Sequence, residues 1–134
     1  MSLQAMLEQY RDLLESRALA NLVTLMPDGS PQVTPMWFEF DGTHIIVNAA
    51  RGKVKDRNMR RDVRVAVLIT DPDNAFRYVQ IRGRVVQVSE KGADESIDRL
   101  CQKYLGLREY PDRKQDEVRV MYRIEPEYIS GIGQ

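Results

Sequence analysis

Apolar positions open the chain at helical spacing. Leu3, Met6, Leu7, Tyr10 and Leu14 fall three or four residues apart, and Ser2 is placed to cap a helix over about 2–15. The pattern then changes period. "ALANLVTLM" (18–26) reads as a buried strand, "PDGS" (27–30) as a turn, and "PQVTPMWFEF" (31–40) as a second strand. "FDGT" turns it into a third, "HIIVNAA" (44–50). A short helix over about 53–60 precedes a fourth strand, "VRVAVLIT" (63–70), and "DPDNA" is a loop. "FRYVQIRGRVVQVS" (76–89) is a long fifth strand with Gly83 as a candidate bulge. Ile97, Leu100, Cys101 and Tyr104 share one face of a helix over about 92–105, which Gly106 can stop. After the polar loop 106–117, Val118, Val120, Tyr122 and Ile124 alternate with polar partners as a sixth strand.

Six strands joined mostly by turns, with three helices, cannot form a parallel sheet, in which every connection is a long crossover. Closure into a small antiparallel barrel removes exposed edges and is the expected architecture: mainly β, one domain over residues 1–134. The length suits one domain.

Composition narrows the chemistry. Twenty basic residues balance twenty acidic ones, so the chain carries no net charge at pH 7. That balance is unlike a general nucleic-acid binder, which is basic overall. No apolar run approaches the roughly 20 residues of a membrane span. The start "MSLQAMLEQYRD" lacks the basic and apolar regions of a signal peptide. One cysteine excludes an internal disulfide framework, so the cytoplasm is the expected compartment. A single His and a single Cys cannot build a His/Cys zinc site, and no metal is expected. There is no phosphate loop of the GxxxxGK[ST] type and no GxGxxG. His44 follows the turn "DGT" and reads as an exposed strand-end histidine, and Cys101 reads as core packing.

Against this neutral background, "NAARGKVKDRNMRRD" (48–62) holds six Lys or Arg among fifteen residues. A solvated amphipathic helix is one reading, softened by Asp56 and Asp62. Nucleic acid is another, but the segment has no aromatic residue on which a base could stack. The third is one phosphorylated small molecule. A phosphate needs two or three cations and backbone N–H groups at a helix start. "ARGKVK" leads from a strand into a helix, with Gly52 permitting close approach. The preceding strand adds Pro35, which cannot donate to a ladder and belongs at an edge or beside a gap. An aromatic cofactor over that edge would meet Met36 and Trp37, one on each face of the strand.

Three stretches in register, "DGSPQVTPMWF", "RGKVKDRNMRRDVRV" and "YVQIRGRV", resemble the pyridoxamine-5′-phosphate-oxidase-like split-barrel superfamily. Within it the chain looks most like the flavin/deazaflavin oxidoreductases that use coenzyme F420. The likeness spans about residues 16 to 130 and implies a homodimer of split β-barrels with two cofactor sites at the subunit interface. It implies that Gln32, Thr34, Pro35, Met36 and Trp37 lie along the cofactor ring. Asn48, Ala49, Ala50, Arg51, Lys53 and Lys55 would hold the phosphate, with Asn58 behind them and Lys55 at the usual phosphate lysine. Arg57 is a weaker candidate. Arg77, Tyr78 and Gln80 of the partner would close the site. The chain has "DVRV" (62–65) where the pattern frequently has DPRV, and it lacks the C-terminal Arg and His that pyridoxamine phosphate oxidases turn on their substrate.

The implied activity is hydride transfer between reduced F420 and a small molecule, with FMN as the alternative cofactor. A non-catalytic carrier of FMN, F420 or haem is the rival. The surplus of cations favours F420, whose anionic polyglutamate tail they could face. No side chain stands out as a proton donor. Tyr78 could serve, but barrel tyrosines more often pack.

Overall fold

The computed structural model describes residues 1–133. Its elements run α1 (Leu3–Gln9), α2 (Arg11–Leu14), β1 (Ala20–Leu25), β2 (Pro31–Met36), β3 (Phe38–Phe40) and β4 (Ile45–Ala50). They continue with α3 (Val54–Arg61), β5 (Arg64–Thr70), β6 (Tyr78–Ser89), α4 (Ala93–Leu105) and β7 (Arg119–Ile132). Every strand pairing is antiparallel, in the order β2-β1-β5-β6-β7-β4-β3. The sheet's two edge strands, β2 and β3, are consecutive in the chain and separated by Trp37 alone. One backbone step therefore joins the two edges, and the sheet must curl on itself. This is the split barrel the sequence anticipates.

Seven strands appear where the pattern predicts six, because "PQVTPMWFEF" breaks at Trp37. Side chains of α4 explain the break. Lys103 Nζ donates to the Phe38 carbonyl at 2.8 Å, and the Tyr104 hydroxyl accepts from Phe38 N at 3.3 Å. The same hydroxyl donates to the Ala18 carbonyl at 2.6 Å. The Phe38 backbone is thus tied to α4 as the chain changes edges. Pro35 sits on edge strand β2, where its missing N–H costs no central ladder bond. The predicted first helix is likewise divided, with Tyr10 between α1 and α2, and Ser2 caps it by accepting from Ala5 N.

The core fills the barrel with Leu22, Phe38, Ile45, Val47, Met59, Val67, Ile69, Ile81, Tyr122 and Ile124, all fully or nearly fully buried. Leu7, Tyr10, Leu13 and Leu14 pack against it from the N-terminal helices. The register slips beside Gly83, as the sequence predicts for a bulge. A Cβ there would lie 2.2 Å from the Glu125 carbonyl oxygen, so strands β6 and β7 approach as closely as they do only over a glycine. Every residue of β4 is buried, including the outward-facing ones, because α4 lies near its outer face. No helix among the described residues is long and apolar enough to cross a membrane.

Candidate cofactor site

A cavity of about 790 Å³ opens where β2 passes into β3. Pro35, Met36 and Trp37 form one wall, Asn48, Ala49 and Ala50 at the end of β4 another, and Lys53 and Lys55 extend it. Helix α4 contributes Ile97, Leu100 and Leu105, and the loop after it contributes Tyr110 to Lys114 and Glu117. Arg119, at the start of β7, completes the lining. The strand break brings Met36 and Trp37 to the same cavity, where straight strand geometry predicts opposite faces. Trp37 stacks on Tyr104 with centroids 5.4 Å apart and meets Tyr110 edge-on at 6.5 Å.

The basic segment divides sharply. Arg51 is exposed and turns to Glu90 at 3.2 Å. Arg57 donates to the Gly52 carbonyl at 2.7 Å. Arg60 donates to Asp56, and Arg61 to the Leu25 carbonyl and to Asn58. Four cations are thus occupied by the protein itself. Among the described residues, Lys53 and Lys55 have no carboxylate within ion-pair distance, and both line the cavity.

Their placement follows from a buried carboxylate. Gly52, at φ +90°, turns the chain out of β4 in a conformation that favours glycine. Its N–H donates to Asp56 Oδ2 at 2.9 Å, so the turn is tied to the first turn of α3. Asp56 Oδ1 accepts from Arg60 at 2.9 Å and from the Tyr122 hydroxyl, which lies inside the barrel. Burial alone would push the Asp56 carboxyl up, but these three donors outweigh it and hold it below its ordinary value. Lys55 is half-buried. Burial, then the charges of Lys53 and Arg119, depress its pKa below the ordinary lysine value.

Arg119 is a site residue that the sequence does not announce. It is nine-tenths buried, its Nε donates to Asn48 Oδ1 at 2.9 Å, and its guanidinium lies 5.2 Å from the Tyr110 ring centroid. In the sequence it is one polar position of an alternating strand; only the β4–β7 register, which pairs it with Ala50, brings it to the site. Asn48 Nδ2 in turn donates to the Ala93 carbonyl at 2.8 Å, joining β4 to α4. The loop is anchored by Asp98, which accepts from Tyr110 N at 3.0 Å and from Arg113 at 2.6 Å. Cys101 is buried on the inner face of α4, and burial pushes its thiol up.

Of the anticipated site residues, the cavity gathers Pro35, Met36, Trp37, Asn48, Ala49, Ala50, Lys53 and Lys55. Asn58 is buried behind them, donating to Thr24 Oγ1 at 3.0 Å. Gln32 and Thr34 lie on β2 outside the lining; Gln32 Oε1 accepts from Thr24 at 3.4 Å, and Thr34 Oγ1 is buried without a partner. Arg51 is turned away, as described. Arg77 is buried and held by Asp12 at 2.8 Å and Asp71 at 3.2 Å. Tyr78 and Gln80 stand on β6, away from this lining, and Gln80 borders a second cavity of about 330 Å³ beside Arg82 and Tyr128.

A small antiparallel split barrel with a cation-edged cavity at its strand break defines the class. The chain belongs to the pyridoxamine 5′-phosphate oxidase family, whose profile matches residues 6–133. Among solved structures it is similar to an F420 reductase, at 30% identity and TM-score 0.82, over 90% of this chain and 95% of that one. It is also similar to a conserved hypothetical protein of Mycobacterium tuberculosis, at 27% identity and TM-score 0.73, over 98% and 84% of the two chains. A protein of unknown function from Agrobacterium tumefaciens shares the fold at 23% identity and TM-score 0.74, over 100% of this chain and 58% of that one. The family membership read from the sequence is met.

Proposed function

We propose that the chain is an oxidoreductase that uses F420 to reduce a small molecule. The observation that carries this reading is the pair of unpaired lysines, Lys53 and Lys55, beside Arg119 at one edge of a cavity with apolar and aromatic walls. The residues present fit a phosphate-bearing planar heterocycle. The cavity falls in the usual range for such ligands, roughly 300–1,000 Å³. Met36, Trp37 and Tyr110 offer flat or apolar surface for a ring, and the alanines of β4 leave room beside it. The likeness to an F420 reductase supports F420 over FMN.

Hydride transfer to an electrophilic carbon is the chemistry such a cofactor supplies when bound. The chain's own part is binding and orientation. Lys53 and Lys55 attract the phosphate, and an anion there offsets the burial and the repulsion from Lys53 and Arg119 that depress the Lys55 pKa. Met36, Trp37 and Leu105 keep water from the ring. Two copies of the chain are proposed to assemble, with Tyr78 and Gln80 of each closing the partner's site; Arg77, held by Asp12 and Asp71 within its own chain, takes no part.

The test is parallel titration of F420 and FMN into the wild type and two variants. Lys55→Ala should weaken binding by about 1.5–3 kcal/mol, the range for hydrogen bonds to charged groups. That is roughly tenfold to over a hundredfold in affinity. Arg51→Ala should change it little, because that guanidinium faces Glu90. Equal small losses would leave the segment a solvated charged helix. Oxidation of the reduced, bound cofactor by an added acceptor separates an enzyme from a carrier.

A further inference from the structure

Two carboxylates, Asp112 and Glu117, stand among the cations of the cavity, and Glu117 is the one largely buried. Glu117 lines the cavity with its side chain only 16% exposed, and its Oε2 lies 3.4 Å from Arg119 Nη1. That oxygen is buried and makes no hydrogen bond. The pair is therefore electrostatic in character, poorly aligned, and set in a cavity whose lining carries more positive than negative side chains. A buried carboxylate oxygen without a donor is unfavourable on its own. Its position makes sense as a charge-setting group.

The lining charges divide residue by residue. Arg113 is taken by Asp98 at 2.6 Å. Asp112 and Lys114, on the same loop, are opposite in sign. Arg119 has Glu117. Lys53 and Lys55 remain uncompensated. Two positive charges suffice for one phosphate, whether a singly charged diester or a monoester of about −1.5 to −2 at neutral pH. Without Glu117, Arg119 would add a third.

We infer that Glu117 is a specificity-determining residue that neutralises Arg119 and so limits the net charge of the site to that of a single phosphate. This inference rests on the anion-site reading of Lys53 and Lys55. It gives the mutation an unusual direction: removing a buried ionic partner should strengthen ligand binding, whereas loss of a purely structural contact weakens it.

The experiment is calorimetric titration of FMN with riboflavin as its phosphate-free control, and of F420 with its phosphate-free deazaflavin chromophore. Wild type, Glu117→Gln, Glu117→Asp and Lys55→Ala are compared, with folding verified by thermal melting. Glu117→Gln should bind the phosphate-bearing ligand about fivefold to tenfold more tightly, the scale of one partly screened charge at close range. Its affinity for the phosphate-free control should be unchanged, and Glu117→Asp, which keeps the charge, should stay near wild type. Unchanged or weaker binding of the phosphate-bearing ligand by a folded Glu117→Gln, or an equal gain for the control, overturns the role of Glu117 while leaving the anion site intact. If the wild type binds neither ligand, or Lys55→Ala has no effect, the anion-site reading fails and this inference falls with it.

Discussion

Asp56 shows how one residue arranges a site it does not line. It is 2% exposed, and it accepts from the Gly52 amide, the Arg60 side chain and the Tyr122 hydroxyl. Through Gly52 it sets the turn that carries Lys53; through Tyr122 it ties that turn to the barrel interior. Asp56→Ala should destabilise the protein by about 1–3 kcal/mol, because it leaves the buried Tyr122 hydroxyl without its acceptor. Urea denaturation at pH 7 measures it. Because the folded-state pKa of Asp56 lies below 3.8, its contribution is present above the unfolded value and is lost as pH falls through the folded one. The gap between wild type and variant should therefore narrow below about pH 4. A gap that stayed constant into acid would show that the carboxylate charge contributes nothing. Arg60, which a helical wheel turns to solvent, is for the same reason not a neutral position: its loss would leave part of this carboxylate unpaired.

At the scale of elements, two strand irregularities do most of the shaping. The break at Trp37 carries the chain from one sheet edge to the other and opens the cavity there. The bulge at Gly83 lets β6 and β7 approach where the two longest strands cross the barrel. The obstacle to a side chain at Gly83 is backbone, the Glu125 carbonyl, which cannot rotate away. Gly83→Ala should lower stability by roughly 2 kcal/mol or more, within the range for overpacking a rigid site. A fall in melting temperature on the order of 5–10 °C would follow. A melting curve matching wild type would mean that β7 yields at Pro126 at no cost. The bulge was legible in the sequence because a glycine weakens a strand interior, so one set within a long alternating run marks a close backbone approach. The break at Trp37 was only half legible: Pro35 marks an edge, but nothing local says that α4 will capture the Phe38 backbone sixty-odd residues later.

For the whole molecule, assembly is the open expectation, and the structure moves its basis. From the sequence alone, the apolar strand that carries Met36 and Trp37 is the surface a single barrel would leave uncovered. In the fold, Met36 is buried and Trp37 is packed on Tyr104. Exposed apolar surface lies instead on the outer face of β2, β5 and β7, where Val33 is 62%, Leu68 39% and Tyr128 62% exposed. The register puts them on one face: Val33 faces Val23, Val23 faces Ala66, Ala66 faces Arg82 and Arg82 faces Tyr128. Leu68 follows Ala66 by two residues and so shares that face. Arg82 interrupts the row but lies over the Tyr128 ring at 4.7 Å, and exposed apolar side chains gathered on one sheet face suit a self-association surface. The expected outcome is a dimer for the wild type by light scattering at micromolar concentration, and a monomer for Val33→Glu combined with Leu68→Glu. A wild-type monomer would remove the two-copy arrangement.

What the sequence by itself determined was everything that depends on local period and short-range chemistry. Alternation marked the strands, three- and four-residue spacing marked the helices, and a glycine between a strand and a basic helix marked the turn proposed here to bind an anion. Those signals suffice because a strand's two faces and a helix's buried stripe are set by neighbours a few residues away. Six clustered cations were equally visible, but their division was not. Only the folded chain decides that Arg51, Arg57, Arg60 and Arg61 are held by Glu90, a carbonyl, Asp56 and Asn58, while Lys53 and Lys55 face the cavity. The same is true of Arg119 and Glu117, which lie more than sixty residues from the lysines in the chain. They reach the site because β7 pairs with β4, and such pairing is fixed by the packing of the entire barrel, which no local pattern contains.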